Sequence, residues 1–209
     1  MVFYFESEDG QVIIYMGKDK FENEDLIKYA WPHDIWFHVD NFSSAHVYLR
    51  TKTPITSYEE MPVAAVIECA QLTKENSIEG CKKSAVTVIY TWASNLLKND
   101  SMETGAVSFH NRKLVVNMEV EKDKEIIKRI NKTKTESYPD FKKELDRHKM
   151  QLQKEAMLKK KEEKKQQEME QKQKIKQEEE KKQAWNEFND AGSQFVTSNQ
   201  GPVVEDDFW

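Results

Sequence analysis

The chain has few of the features that mark secreted, membrane-spanning or disulfide-linked proteins. Its 209 residues include only two cysteines, and no CxxC pair, so neither a disulfide framework nor a zinc ribbon is expected. No apolar run exceeds five residues, whereas a spanning helix needs about 20. The N-terminus lacks a basic segment followed by a long apolar stretch, so no signal peptide is predicted. We therefore expect a cytoplasmic protein, with the nucleus as the alternative, that reaches a membrane only through a partner.

Motifs of common catalytic and cofactor sites are also missing. The sequence contains no GxxxxGK[ST], GxGxxG or HExxH pattern. His38 and His46 could pair as metal ligands, but zinc needs three or four, and the nearby aspartates have no recognised spacing. Ser43 or Ser44 could act as a nucleophile with His46 as its base, but the sequence identifies no acid that would orient the histidine. We predict no metal, no cofactor and no enzymatic activity.

Charge, by contrast, is abundant and unevenly distributed. Residues 1–140 carry 17 basic and 22 acidic side chains, residues 141–183 carry 15 and 10, and residues 184–209 carry five acids and no base. The middle segment has no glycine or proline and is mostly Lys, Glu and Gln, which favour helix. The sequence therefore predicts three parts: a domain over 1–140, a charged helix over 141–183, and an acidic, aromatic, flexible tail over 184–209.

The charged helix is predicted to be a single solvated helix. Apolar residues keep a seven-residue step from Leu145 to Leu152 and from Met150 to Met157, but the next steps fall on lysines. No coiled-coil seam is therefore expected beyond residue 158. Two interpretations of its role remain open: a solvated spacer, or a rod that lies along a phosphate-rich surface such as ribosomal RNA.

Residue patterns in the first part predict strands and helices in alternation. Period-two alternation predicts two hairpins and three further strands, over residues 2–16, 34–50, 85–92, 106–110 and 114–120. Apolar residues at helical spacing predict helices over residues 57–79 and 122–131, and the stop at Pro32 predicts a short helix over 24–30. Two starts of the second helix remain open: Ser57, which forms a capping box pattern with Glu60, or a point near Met61, because Pro62 favours the first helical turn. Asp9-Gly10 is the expected turn of the first hairpin, and Asn23 the expected cap of the first helix. The predicted fold class is α+β: a single domain with an antiparallel-rich sheet packed by one or two helices.

The second hairpin carries the residues of greatest functional interest. If its strands pair around Phe42, Trp36 lies opposite Tyr48 and His38 lies opposite His46. One face is then aliphatic, and the other holds rings, imidazoles and an arginine. Two interpretations of this aromatic face remain open: a surface that stacks bases of RNA or DNA, or a second core layer covered by the helix over 57–79. The candidate nucleic-acid-binding residues are Lys18, Lys20, Trp36, His38, His46, Tyr48, Arg50 and Lys52.

The stretch DIWFHVDNFSSAHVYLR, at residues 34–50, resembles the NFACT-R domain of ribosome-associated quality-control factors and bacterial fibronectin-binding-like proteins. The similarity extends over about residues 10–120 and includes Gly17, the Asn23-Glu24 pair, Asp34 to His38, His46-Val47, Val63–Ala70 and Val86–Thr91. The resemblance implies an α/β domain that binds RNA and has no enzymatic activity. Roles of the other domains of the large relatives are not implied for this chain.

Two hypotheses of function follow from the sequence. The first is a non-enzymatic nucleic-acid-binding module, with tRNA or rRNA favoured over DNA, associated with the ribosome or with translation quality control. The second is an adaptor that recruits a protein partner through the charged helix and the end of the tail, at Asp206, Asp207, Phe208 and Trp209. Neither hypothesis gives the chain a transmembrane segment of its own.

Overall fold

A computed structural model describes residues 1–53 and 55–197 of the chain, without the side chains of residues 190–197. Contacts divide the chain into two units, Met1–Lys149 and a second that begins at Met150. The strands in the described residues are β1 Val2–Glu6, β2 Val12–Gly17, β3 Ile35–Val39, β4 Val47–Thr51, β5 Ala85–Trp92, β6 Leu96–Leu97, β7 Ser108–Phe109, β8 Val116–Glu121 and β9 Thr135–Ser137. The α-helices are α1 Lys20–Tyr29, α2 Val63–Glu75, α3 Lys124–Lys132 and α4 Phe141–Thr197. The predicted α+β class is confirmed.

Seven strands form one sheet in the order β8-β5-β3-β4-β2-β1-β9, and every neighbouring pair is antiparallel. The first predicted hairpin forms at its predicted turn, where Gly10 has φ of 63° and the Asp9 carboxylate accepts a hydrogen bond from the backbone of Gln11. The second hairpin has the predicted register, with Trp36 opposite Tyr48. Strands β6 and β7 pair separately.

The aliphatic face of the sheet packs against α2. Ile35, Phe37 and Leu49 are fully buried there with Cys69 and Ala70 of the helix. Full burial of one such large apolar side chain contributes about 1.5–3 kcal/mol, so this layer accounts for much of the folding free energy. It is the core that the alternating strand pattern predicted.

The aromatic face of the sheet is also buried, but other elements cover it. Tyr15, Trp36 and Tyr48 pack with side chains from α1, from the segment 96–109 and from the first turn of α4. The covering side chains are Leu26, Ala30, Leu96, Val107, Phe109 and Phe141. Of the two interpretations left open, the second core layer is the one observed, but the helix over 57–79 does not cover it, because α2 lies on the opposite side of the sheet.

The predicted helix boundaries need two corrections. Helix α1 begins at Lys20 rather than residue 24, because the Asp19 carboxylate accepts hydrogen bonds from the backbone of Phe21 and Glu22. Asn23, the expected cap, is buried within the helix against Gly17, where any Cβ would lie 2.5 Å from the Asn23 amide oxygen. Helix α2 begins after Pro62, close to the later of the two starts that the sequence allowed, and ends at Glu75 rather than residue 79.

The charged helix forms as predicted from residue 141 and continues past residue 183 to Thr197. Within the second unit, side chains from Met150 to Asn189 are exposed apart from the half-buried Leu152. No helix in the described residues is long and apolar enough to cross a membrane. The predicted partner-binding residues at the C-terminus lie outside the described residues.

Candidate nucleic-acid interface

Three of the predicted nucleic-acid-binding residues lie inside the domain. Trp36 is 1%, Tyr48 0% and His46 3% exposed. In this structure they cannot stack on a base, because the segment 96–109 and α1 occupy the space that a base would need. The expectation of an exposed ring-bearing face is therefore wrong, and these residues form a second core layer.

Arg50 is committed to a buried ion pair. Its guanidinium donates to both oxygens of Asp34, at 2.8 and 2.6 Å, and Asp34 is 1% exposed. The same carboxylate accepts from the Tyr15 hydroxyl at 2.5 Å and from the backbone of Trp31 at 2.8 Å. The guanidinium also lies 3.8 Å from the centre of the Trp31 ring. The structure therefore pairs Arg50 with Asp34, a contact that the sequence did not predict, and its role in binding nucleic acid stays a prediction.

The beginning of α4 belongs to the same cluster in the first unit. The His148 ring stacks on Trp31, with ring centres 3.6 Å apart and planes 5° from parallel. Leu145, one turn earlier, is 9% exposed, and Phe141 packs against the aromatic layer. The first turns of the charged helix are thus anchored by apolar and ring contacts that the sequence analysis did not identify.

The three predicted lysines are exposed, but they do not form one patch. Lys18 and Lys20 flank the Asp19 cap at the junction between β2 and α1. Lys52 lies at the other end of β2, where its backbone donates to Gln11. Six strand residues at about 3.4 Å each separate the two ends by about 20 Å. Only Lys18 and Lys20 can therefore contact one ligand close to the β2–α1 junction.

Side chains that carry the family resemblance meet at this junction. Asn23 packs on Gly17, and the ring centres of His38 and His46 are 5.2 Å apart. Glu24 accepts hydrogen bonds from the Lys98 ammonium, at 2.7 Å, and from the backbone of Gly105. These two bonds fasten the segment 98–105 over the imidazoles. Sequence reasoning missed Lys98 and Gly105, which have no local motif, whereas the Asn23-Glu24 pair was a usable signal.

Both imidazoles at the junction are held in the neutral form. Burial lowers the pKa of His46 to about 3, with further lowering from the charges of His38 and Lys98, against a backbone hydrogen bond with Gly105 that raises it. Burial also lowers the pKa of His38. Neutral imidazoles add no positive charge, so any attraction of phosphate to the junction comes from Lys18 and Lys20.

The aromatic layer also contains buried polar atoms that have no hydrogen-bond partner among the described residues. They are the Asn23 amide oxygen, Trp36 Nε1, His46 Nδ1 and the Tyr48 hydroxyl. Burying such an atom without a partner costs about 1–3 kcal/mol. The layer is therefore less favourable for folding than its buried area suggests.

One surface ring is available near the two lysines. Phe21 is 67% exposed, and the Lys20 ammonium lies 5.4 Å from the centre of its ring. An exposed ring beside cations can stack on a base while the cations contact its phosphates. Phe21 was not among the predicted residues, although the sequence places it between Lys20 and the Asn23-Glu24 pair.

A groove of about 890 Å³ lies beside the junction, between α1 and the segment 96–110. Its charged lining includes both signs: Glu24, Asp25, Lys28, Lys98 and Asp100. Such a lining does not favour a polyanion. Within the described residues, no group of three or more histidine, cysteine or acidic side chains could hold a metal ion.

The geometry defines an α+β domain with a two-sided buried core and a small cationic rim at the β2–α1 junction. Residues 1–111 match the NFACT protein RNA binding domain, and the chain belongs to this NFACT-R family. The resemblance seen in the sequence is confirmed, and the family description supports a nucleic-acid-binding module.

Several known proteins are similar over most of the chain. Coiled-coil domain-containing protein 25 of Danio rerio is 53% identical over 144 residues, which cover 68% of this chain and 69% of the relative. The Bos taurus protein of the same name is 49% identical over 164 residues, covering 76% and 78%. Protein JLP2 of Saccharomyces cerevisiae is 36% identical over 156 residues, covering 71% and 75%.

A solved structure shares the fold. The C-terminal part of the fibronectin/fibrinogen-binding protein from Streptococcus suis superposes with a TM-score of 0.51 at 23% sequence identity. The match covers 61% of this chain and 47% of that one. At this identity the likeness concerns the fold alone.

Proposed function

We propose that the chain is a non-enzymatic RNA-binding module that acts at the ribosome or in translation quality control. The observation that carries the proposal is the exposed Lys18-Asp19-Lys20-Phe21 corner beside the residues of the family resemblance. Family membership supports RNA as the ligand class.

The contacts follow from the chemistry of this corner. The ammonium groups of Lys18 and Lys20 bind successive phosphates of a single strand, and the Phe21 ring stacks on a neighbouring base. The Asp19 carboxylate between the two lysines stays ionised, because it accepts two backbone hydrogen bonds from the first turn of α1, and it leaves the corner with a net charge of one positive unit. The buried layer beneath holds this corner in position.

The test compares two pairs of lysine substitutions. Lys18→Ala with Lys20→Ala should weaken binding of a labelled single-stranded RNA in fluorescence anisotropy by about tenfold. It should also reduce the slope of log K against log salt by about 1.4, since each single-strand phosphate contact contributes about 0.7. The matched control, Lys52→Ala with Lys113→Ala, removes the same charge from exposed sites elsewhere. Equal affinity of the two folded variants would overturn the assignment of the site.

The ribosomal part of the proposal has its own measurement. The full chain should sediment with ribosomal subunits in a sucrose gradient, and the Lys18→Ala, Lys20→Ala variant should remain near the top. If the wild-type chain binds RNA in anisotropy but never sediments with subunits, the ribosomal part fails while RNA binding stands.

A second candidate function, a protein adaptor, is favoured by one feature of the second unit. Met150, Met157 and Leu158 are 71%, 73% and 52% exposed and lie on one side of α4. An apolar strip on a charged helix suits the groove of a partner protein. Substituting Met157→Lys and Leu158→Lys should abolish a specific protein interaction in pull-downs while leaving RNA binding intact. Unchanged interactors would remove this candidate.

A further inference from the structure

Helix α3 carries a row of lysines on its outward side. Lys124, Lys128 and Lys132 are all exposed and follow one another at four-residue steps. Each step rises about 6 Å, so the row extends over about 12 Å. The inward side of α3 holds the buried Ile127 and Ile130. The row is therefore displayed at a fixed spacing by a helix that is packed on the domain.

No ion pair within the described residues uses any of these three lysines, although the neighbouring cations are paired. Lys122 pairs with Glu75 at 2.6 Å, and Lys134 lies 4.0 Å from Glu136. Arg129, which lies between the row residues in sequence, pairs with Glu8 at 2.9 Å and with the buried Glu68. The neighbouring cations thus serve the fold, whereas the row faces solvent.

The row as a whole adds little to the stability of α3. Like charges four residues apart repel, and Lys124 in the first turn opposes the helix dipole, which offsets the favourable position of Lys132 in the last turn. The helix is stabilised instead by its two buried isoleucines and by the Asp123 cap, whose carboxylate accepts hydrogen bonds from the backbone of Glu125 and Ile126. The fold of α3 therefore does not require three lysines aligned on its outward side.

The net charge of the sequence also changes from negative to positive at the segment that contains the lysine row. Residues 1–121 carry 11 basic and 18 acidic side chains, a net of −7, whereas residues 122–149 carry 10 and 6, a net of +4. The row also lies outside residues 1–111, which match the RNA binding domain. Thr133, just after α3, bonds to Glu6 at the far end of β1, so about 17 Å of strand separates this end from the β2–α1 junction.

We propose that Lys124, Lys128 and Lys132 form a second phosphate-binding surface, which contacts the backbone of a double-helical RNA. This inference rests on the proposed RNA-binding function and extends it. Helix α3 has no aromatic side chain on which an unpaired base could stack, so the surface suits paired strands read through their phosphates. Its length of about 12 Å is enough to follow consecutive phosphates of one strand of a duplex, with one phosphate for each lysine.

The binding partner is then a structured RNA with a single-stranded part next to a duplex. The single strand lies at Lys18 and Lys20, and the duplex backbone lies along α3. The two surfaces are built on opposite ends of the β1–β2 hairpin, so the sheet fixes the distance between them. Neither surface alone needs a base-specific contact, and the combination selects RNA by shape.

The test uses the triple variant Lys124→Gln, Lys128→Gln, Lys132→Gln in the full chain. Its binding to a labelled RNA duplex of about 16 base pairs should be at least about tenfold weaker than wild type at low salt. The slope of log K against log salt should fall by about 2.7, which is 0.9 for each lost phosphate contact. The matched control, Lys52→Gln, Lys82→Gln, Lys113→Gln, removes three exposed charges elsewhere and should retain most of the slope.

Two further measurements distinguish loss of the α3 phosphate contacts from unfolding and from loss of single-stranded RNA binding. The triple variant should melt at the same temperature as wild type or higher, because its substitutions relieve repulsion within α3. It should also keep wild-type affinity for single-stranded RNA, which depends on Lys18 and Lys20. Duplex binding that is equal in the triple variant and in wild type overturns the inference and leaves the proposed function standing.

Failure of the wild-type chain to bind single-stranded RNA would overturn the proposed function separately, in the anisotropy experiment described for it. Wild-type chain and triple variant are also compared on vesicles of phosphatidylcholine with phosphatidylserine. If wild type binds these vesicles through the row but does not bind the RNA duplex, the surface is one for anionic lipid and the proposal is wrong.

Discussion

The two faces of the seven-stranded sheet use different chemistry to reach the same degree of burial. Under α2, the buried strand residues are hydrocarbon side chains such as Ile35, Phe37 and Leu49. Under α1 and the segment 96–109, they are Tyr15, Trp36 and Tyr48, each of which carries a polar atom. A hydrocarbon gains from burial without needing a partner, whereas a buried polar atom gains only if it is hydrogen-bonded.

This difference separates the two faces by how much each buried side chain can contribute to the free energy of folding. Four buried side-chain atoms in or against the aromatic layer have no hydrogen-bond partner in the described part of the chain. The corresponding atoms elsewhere are carboxylate oxygens of α2, and the one on Glu75 is ion-paired with Lys122. The aliphatic face therefore gains from burial without polar atoms to satisfy, whereas the aromatic face, which underlies the β2–α1 corner, gains less from the side chains whose polar atoms have no partner.

The largest expected effect comes from a substitution that removes the well-satisfied polar cluster around Asp34, on the aromatic side of the sheet. Asp34→Ala leaves the half-buried Arg50 and the Tyr15 hydroxyl without their acceptor, so we expect the free energy of unfolding to fall by about 3–5 kcal/mol. Urea unfolding followed by circular dichroism measures the change. The control is Asp40→Ala, at the other end of β3, with an expected loss below about 1 kcal/mol. Equal losses would mean that the buried ion pair has no special structural role.

A pair of adjacent residues on opposite faces tests the comparison directly. Leu49→Ala should lower the free energy of unfolding by about 2–5 kcal/mol, because it leaves a cavity in the aliphatic layer. Tyr48→Phe should change it by less than about 1 kcal/mol, or raise it, because the buried hydroxyl has no partner in the described residues. A large loss for Tyr48→Phe in the same urea titration would show that the hydroxyl is satisfied in solution.

The smallest expected effect concerns pH. The unfolded chain protonates His46 near its ordinary pKa of about 6.5, whereas burial holds the folded pKa near 3. Between these values the unfolded state binds the extra proton, so stability falls as pH falls, by about 1.4 kcal/mol per pH unit for this residue. Urea unfolding between about pH 6 and pH 5 should show a smaller loss for His46→Gln than for wild type. The exposed His33→Gln is the control, and an equal loss in all three chains would contradict the depressed pKa.

Much of the sheet could be predicted from local patterns. The Asp9-Gly10 turn and the alternation in residues 34–50 were enough for both hairpins and for the Trp36–Tyr48 register. Strands β6 and β9, of two and three residues, are too short to leave a periodic signal. The cap of α1 was wrong because two residues near its start could act as caps, and packing of Asn23 on Gly17 decided between them.

The site was harder to predict than the fold, for a physical reason. Alternation shows that Trp36 and Tyr48 share a face but carries no information on what covers that face. The cover comes from the segment 96–109, which lies about 50 residues away and has almost no regular structure of its own. The ion pair between Arg50 and Asp34 also joins residues that are distant in sequence, so the sequence pattern did not predict that Arg50 is paired.

The two hydrogen bonds of Glu24 have a consequence for how the chain folds. They join residues 74 and 81 positions apart, so the loop between them must close before either bond can form. The hairpin contacts between β3 and β4 are far more local and have no such requirement. We expect Trp36 and Tyr48 to remain open to water in an early folding species, in which a hydrophobic dye would bind and tryptophan fluorescence would report the late docking of the segment 96–109.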